Sequence, residues 1–196
     1  FYDVANFSYG DMLLLGGKTK AGKTHLAMNI VKQLVQQGIK PYYFSLESGS
    51  RFAKTALALN LKEGDFYWTL ESDPTKIEFE KNSITIIDWL YIEDFTQTNN
   101  VLKYFVDQLF KTNGFLILFT QLKESGDYFA PNLIKNFPAL AARYIYDDEK
   151  DGTYGKWKID AIRDPKEKVK THEISCVYNW DNKELKRLDE IKGDSK

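Results

Sequence analysis

Gly17-Lys18-Thr19-Lys20-Ala21-Gly22-Lys23-Thr24 decides the reading of this chain. The stretch fits the pattern G-x-x-x-x-G-K-[ST], and its context fits as well. Before it stands Met12-Leu13-Leu14-Leu15, an apolar run too short for a helix. That run predicts a buried strand ending at Gly16-Gly17. After it Leu26, Ala27, Ile30, Val31, Leu34 and Val35 recur at helical spacing. Lys32, Gln33, Gln36 and Gln37 fill the other face, and Gly38 is the stop. Strand, glycine loop and helix in this order form a phosphate cradle. Glycines let the backbone wrap so that successive N–H groups face the phosphate oxygens, and the helix adds its positive N-terminal end. Lys23 is expected to reach the β- and γ-phosphates, and the Thr24 hydroxyl to ligate Mg²⁺. The candidate nucleotide contacts are Gly17, Lys18, Thr19, Lys20, Ala21, Gly22, Lys23, Thr24 and His25, with ATP and Mg²⁺ as cofactors. Lys18 and Lys20 match no required position and read as solvated. His25 and His172 lack metal-ligand spacing, so no metal site is expected beyond the nucleotide Mg²⁺.

Outward from the loop, short β-rich runs alternate with helical periodicity, the pattern of a parallel sheet with crossover helices. Pro41 introduces a second strand, Tyr42-Tyr43-Phe44-Ser45-Leu46. Phe52, Ala53, Ala56, Leu57 and Leu59 predict a short helix within 50–61, and 62–81 reads as irregular or edge-like. Ser83-Ile84-Thr85-Ile86-Ile87 is a third strand, ending at Asp88. Leu102, Phe105, Val106 and Leu109 mark a helix with Asn99 or Asn100 as cap and Gly114 beyond its end. Phe115-Leu116-Ile117-Leu118-Phe119 is almost wholly apolar and so a central fourth strand. Beyond Pro131, the spacing of Leu133, Ile134, Phe137, Leu140 and Ala141 predicts another helix, interrupted by Pro138. Three more strands follow, over 143–146, 156–162 and 173–178, separated by polar turns. The expected fold is therefore α/β, a mainly parallel sheet flanked by helices with C-terminal antiparallel strands. One domain spans 1–196, with a frayed tail over 190–196. The opening at Phe1 and the lack of a signal-peptide pattern read as a fragment of a longer intracellular protein.

Three polar residues close the other predicted strands. Asp88 directly follows Ile86-Ile87, where a carboxylate faces the ligand crevice and holds Mg²⁺ through water. Glu47 follows Ser45-Leu46 and can polarise an attacking water as general base. Gln121 follows Phe119-Thr120, placed to sense the γ-phosphate. Together with Lys23 and Thr24 they are expected at one edge of the sheet.

Composition excludes other classes. The chain has 196 residues, and 27 Lys+Arg against 28 Asp+Glu leave a net charge of −1. Bulk attraction to nucleic acid is thereby excluded, though local patches are not. Hydrophobic residues at 43% exclude intrinsic disorder. A single cysteine, Cys176, excludes a disulfide scaffold and suits the cytoplasm. The longest apolar runs fall far short of the ~20 residues a membrane helix needs.

These motifs resemble the RecA-like ATPase core, most closely the C-terminal motor domain of DnaB-type replicative helicases and their phage or viral relatives. Tyr43-Phe44-Ser45-Leu46-Glu47 resembles the family's strand ending in Ser-Leu-Glu, and Ile86-Ile87-Asp88-Trp89-Leu90 its Walker B strand, normally Ile-Asp-Tyr-Leu. Leu118-Phe119-Thr120-Gln121-Leu122 resembles its sensor strand. The match runs from about Tyr9 to Leu122. The resemblance implies ATP hydrolysis with Glu47 as base, self-association into a ring, by expectation a hexamer, and movement on single-stranded DNA. It also implies an arginine finger acting on a neighbouring subunit. Arg163 in Ile159-Asp160-Ala161-Ile162-Arg163-Asp164 fits that position, while Ala161 replaces the family's lysine. The loop after the sensor strand offers Lys123, Tyr128 and Phe129 as nucleic-acid contacts, one cation and two stacking faces. The basic residues Lys166, Lys168 and Lys170 read mostly as a solvated turn. Competing readings are a RecA/RadA-like recombination or regulatory ATPase, a small-molecule or nucleotide kinase, and a non-hydrolysing adaptor. The kinase reading lacks a lid of arginines, since 114–146 holds only Arg143.

Overall fold

The computed structural model describes residues 1, 5–46, 51–90, 95–128, 137–146, 154–166, 173–179 and 183–187. The strands are β1 (Met12–Gly17), β2 (Tyr42–Ser45), β3 (Tyr67–Leu70), β4 (Ile84–Leu90) and β5 (Phe115–Gln121). β6 (Leu140–Tyr146), β7 (Tyr154–Ile162), β8 (Glu173–Asn179) and β9 (Glu184–Arg187) follow. They form one nine-stranded sheet in the order β3-β2-β4-β5-β1-β6-β7-β8-β9. The pairings from β3 across to β6 are parallel, and those from β6 to β9 antiparallel. Helices α1 (Lys23–Gln36), α2 (Arg51–Ala58) and α3 (Phe95–Thr112) flank it.

The continuous apolar runs have a simple cause: both faces of the sheet are covered. Leu13, Leu15, Ile86, Ile117 and Phe119 belong to the core that includes Leu26, Val31 and Leu34 of α1. Their strand neighbours Met12, Leu14, Ile87, Leu116 and Leu118 join the other core, with Leu102, Phe105 and Leu109 of α3. The alternation follows the period of two along a strand.

Five expectations need correction. α3 begins at Phe95, so Asn99 and Asn100 lie inside the helix and do not cap it. Leu140 and Ala141 belong to β6, not to a helix. Both are fully buried between β1 and β7, so a helical spacing at these positions is overruled by sheet pairing. The remainder of that expected helix up to residue 136 lies outside the described residues. β4 runs on to Leu90, which puts Asp88 within the strand. The tail has a fourth strand, β9, whose Glu184-Leu185-Lys186-Arg187 is too polar to read as sheet from its sequence. Its partner β8 and an asparagine on α1 hold it in place. Asn29 donates to the carbonyls of His25 and Lys183 at 2.8 and 2.7 Å and accepts from the Leu185 N–H at 3.0 Å. Finally, the stretch 62–81 is edge-like as expected but contains β3, all four residues of which are exposed.

Candidate nucleotide site

The register of the sheet assembles the site. β1 lies inside the sheet, and the chain leaves it first toward β2 and later toward β6. That reversal marks the crevice where open α/β sheets bind ligands. Gly17 stands level with Gln121 of β5 and Tyr144 of β6, while Ser45 stands level with Asp88. Lys23, Thr24, Asp88 and Gln121 thus come to the same edge. Glu47 lies outside the described residues, two positions beyond the last residue of β2.

The loop has the backbone that its glycines foretold. Gly22 precedes α1 with φ 78° and ψ 25°, a left-handed conformation. Lys20 is also left-handed at φ 64°. No side chain caps α1, and no acidic residue occupies its first turn. Most helices begin on a Ser, Thr, Asp or Asn cap; this one presents its amide end to an external anion instead. Lys23 is buried, and its ammonium donates to the carbonyls of Gly17 at 3.1 Å and Lys18 at 2.9 Å. Its Nζ also stands 4.6 Å from the centre of the Trp89 ring. Lys18, Thr19 and Lys20 are exposed.

Asp88 is 1% exposed, and its Oδ2 accepts a 2.7 Å hydrogen bond from the hydroxyl of Tyr43 on β2. A charge-assisted bond of this length fixes the carboxylate at the strand edge. Sequence reading missed Tyr43, although it precedes the Ser45-Leu46 turn on a neighbouring strand. The Thr24 hydroxyl and Asp88 carboxylate are hard oxygen donors, the set that suits Mg²⁺ carried by phosphates. Among the described residues no cluster of three or more His, Cys, Asp or Glu side chains could cage a metal ion by itself.

His25, the last candidate nucleotide contact, is hydrogen-bonded through Nδ1 to the Thr55 hydroxyl of α2 at 2.8 Å. It therefore ties α1 to α2. Burial, and then the charge of Lys183, lower its pKa below the ordinary imidazole value.

Gln121 ends β5, and the next residue is wired to the phosphate loop. The Leu122 N–H donates to the Gly17 carbonyl at 3.1 Å. Residues 122–128 then fold into a tight hairpin. Leu122 bridges Tyr128, and the Lys123 N–H donates to the Asp127 carbonyl at 2.8 Å. The hairpin presses on Gly16, where a Cβ would come within 2.7 Å of Leu122 Cδ2 and 3.0 Å of Tyr128. Tyr128 is 5% exposed and joins the α3-side core. Its ring packs inward, so the expected stacking face is not presented; Lys123 is exposed, and Phe129 lies outside the described residues.

A clamp that sequence reading missed holds the hairpin. Arg143 on β6 grips Asp160 on β7 with two bonds of 2.8 and 2.7 Å and donates to the Gly126 carbonyl at 2.9 Å. Tyr128 adds a long 3.4 Å bond to the same carboxylate. Burial, and then the Asp160 charge, hold the Tyr128 phenol well above the ordinary tyrosine range, so it stays a donor. Asp160 reaches this position from a β-bulge, since Ile159 pairs with Ala142 and Ala161 with Ala141.

Arg163 stands far from these groups. It follows β7, whose Ile162 pairs with Leu140, itself level with Leu13. Leu13 precedes Gly17 by about 13 Å of strand at roughly 3.3 Å per residue. Arg163 lies beyond that level, at the opposite end of the sheet from its own phosphate loop. Its guanidinium donates to the Phe137 carbonyl at 2.9 Å. Of the nearby basic residues, Lys166 is half-buried, and Lys168 and Lys170 lie outside the described residues.

No protein-family model matches the chain, and no curated protein matches it. Solved structures do. The ATPase domain of one DnaB-like helicase superposes with a TM-score of 0.74 at 14% identity, covering 93% of this chain and 86% of that one. A second DnaB-like replicative helicase, whose structure was described with its primase interactions, superposes with a TM-score of 0.72 at 12% identity. The match covers 91% of this chain but only 57% of that helicase chain. A KaiC-like protein of Pyrococcus horikoshii matches with a TM-score of 0.69 at 15% identity, covering 93% and 91% of the two chains. The fold is that of a RecA-like P-loop ATPase. The resemblance drawn from the motifs holds for the fold, and the C-terminal antiparallel strands belong to it. Among the described residues no helix is long and apolar enough to cross a membrane.

Proposed function

We propose that this chain is an intracellular Mg²⁺-dependent ATPase whose hydrolysis drives movement on single-stranded DNA, as a motor domain of a ring that we take to be hexameric. The carrying observation is the uncapped start of α1, with buried Lys23 at its first position and Asp88 delivered beside it by β4. In this reading the α1 end and Lys23 bind the phosphates, and Thr24 and Asp88 hold Mg²⁺ between them. When bound, Mg²⁺ neutralises charge on the transferring phosphoryl group. Glu47 takes the proton of the attacking water, and Gln121 reads the γ-phosphate. Because Leu122 is bonded to Gly17, a shift at the loop reaches the hairpin 122–128 directly. Lys123 on that hairpin and Phe129 beyond it are the proposed DNA contacts.

The test is ATP hydrolysis with and without single-stranded DNA, at several salt concentrations. DNA should stimulate turnover, less so as salt rises, because phosphate contacts are lost to counterions. Glu47→Gln should still bind ATP while turnover falls by roughly 10²-fold or more. A second reading, a KaiC-like regulatory ATPase, is favoured by the match that spans nearly the whole of both chains. Hydrolysis indifferent to DNA would select it.

A further inference from the structure

Trp89 is the large side chain next to the site that no step above uses. It follows Asp88 on β4, packs against the α1-side core, and turns its ring to the Lys23 ammonium at 4.6 Å. We propose that the Trp89 indole face is a positioning element of the phosphate site, holding the Lys23 ammonium charged and aimed before any phosphate arrives. The inference rests on the nucleotide reading above.

The physical case begins with burial. Lys23 is 6% exposed, and a buried ammonium has lost the water that favoured its charge. Two of its three N–H bonds are directed to the Gly17 and Lys18 carbonyls. The negative face of an indole supplies a further favourable potential, and indole is the strongest of the aromatic partners for a cation. A ring does this without a formal charge of its own. A carboxylate in the same place would neutralise the ammonium and compete with phosphate; an indole leaves the full unit charge for the incoming anion. The loop carbonyls and the ring together restrict the flexible lysine stem, so less freedom is lost when phosphate binds. One strand therefore delivers two things to the site, a carboxylate at Asp88 and an aromatic platform at Trp89.

The experiment replaces Trp89 site-specifically by mono-, di- and trifluorotryptophan. Fluorine drains the ring face of negative potential while leaving its shape nearly unchanged. Binding of MgADP is measured by calorimetry, and thermal unfolding of the nucleotide-free protein is recorded for each variant. We expect Kd to weaken stepwise with each fluorine, by roughly 2- to 30-fold in total, the range of one cation–π contact. Unfolding midpoints should stay together. Trp89→Phe should fall between the natural chain and Trp89→Leu. A second readout needs no nucleotide: the Lys23 Hε proton resonances should be shielded by the ring and move downfield in Trp89→Leu. An affinity that is flat or rises along the series overturns the proposal, as does an unshielded Lys23. If the natural chain binds no MgADP, the nucleotide reading fails and the positioning role falls with it. If it binds MgADP and the series is flat, only the role of Trp89 fails.

Discussion

At the scale of single residues, the site depends on a few buried polar contacts whose partners lie on other elements. Asp88 is positioned by Tyr43 from β2, and His25 by Thr55 from α2. His25 gives a pH signature. Its folded pKa lies below the 6.5 of a free imidazole, so the native state resists the proton. Above that value both states are neutral, and His25 adds no pH dependence. As pH falls below it, the unfolded chain binds a proton that the folded chain does not, and stability is lost. Denaturant unfolding at pH 7.5 and pH 5.5 should therefore give a lower stability at the acid end. His25→Gln should flatten the His25 part of that slope. A slope unchanged by the substitution would mean that His25 is not its source. The residues of the phosphate loop were legible in the sequence because their chemistry follows one fixed spacing. Tyr43, Trp89 and Thr55 were not, because each acts across a strand or helix contact that no local pattern encodes.

At the scale of elements, the hairpin 122–128 is the part most at variance with its sequence. A polar loop after a sensor strand reads as mobile and outward-facing. Here it is folded back, with Tyr128 in the core and Gly126 held by Arg143. The reason is a partner far along the chain: Asp160 is brought within reach only by a bulge in β7. Asp160→Asn should break the two-pronged grip and cost about 1.5–3 kcal/mol, the range for hydrogen bonds to charged groups. Denaturant unfolding measures that cost. The Lys123 and Gly126 amides, which donate within the hairpin, should also exchange faster with solvent. Arg143→Lys should fail to restore protection, because an ammonium cannot make the forked contact. Undisturbed exchange in Asp160→Asn would show that the hairpin stands without the clamp. The strands β1, β2, β4 and β5 were legible for the opposite reason. Their apolar runs are buried on both faces, so composition alone announces them. β9 has no such run, and only its pairing with β8 and its bonds to Asn29 make it a strand.

At the scale of the whole molecule, the two ends of the sheet divide the work. The phosphate loop, Asp88 and Gln121 gather at one end, and Arg163 sits at the other. An arginine so placed cannot reach the nucleotide of its own chain; as a finger it would serve a neighbour. Mixing Arg163→Ala with Lys23→Ala subunits tests this. Each variant alone should be nearly inactive, since a working finger contributes roughly 10³–10⁵ in rate. A mixture should regain part of the activity, where an intact arginine meets an intact loop. A fully assembled mixture with no recovery would remove Arg163 from the reaction. The separation was hidden from sequence reading, which places Arg163 near a strand end but not at which edge. Only the antiparallel turn from β6 to β7 decides that.

The position of β1 has a further consequence, in time and not in space. Met12–Gly17 is the first strand to be synthesised, yet its two neighbours are β5 and β6. Met12 pairs with Leu116 and Leu13 with Leu140, more than a hundred residues downstream. Until those segments leave the ribosome, a strand that is apolar on both faces has no native partner. Late pairing of distant strands slows folding and lengthens the exposure of sticky edges. The strand that anchors the phosphate loop is thus also the one whose neighbours arrive last, so a nascent chain would need shelter at Met12-Leu13-Leu14-Leu15 until residue 146 is in place.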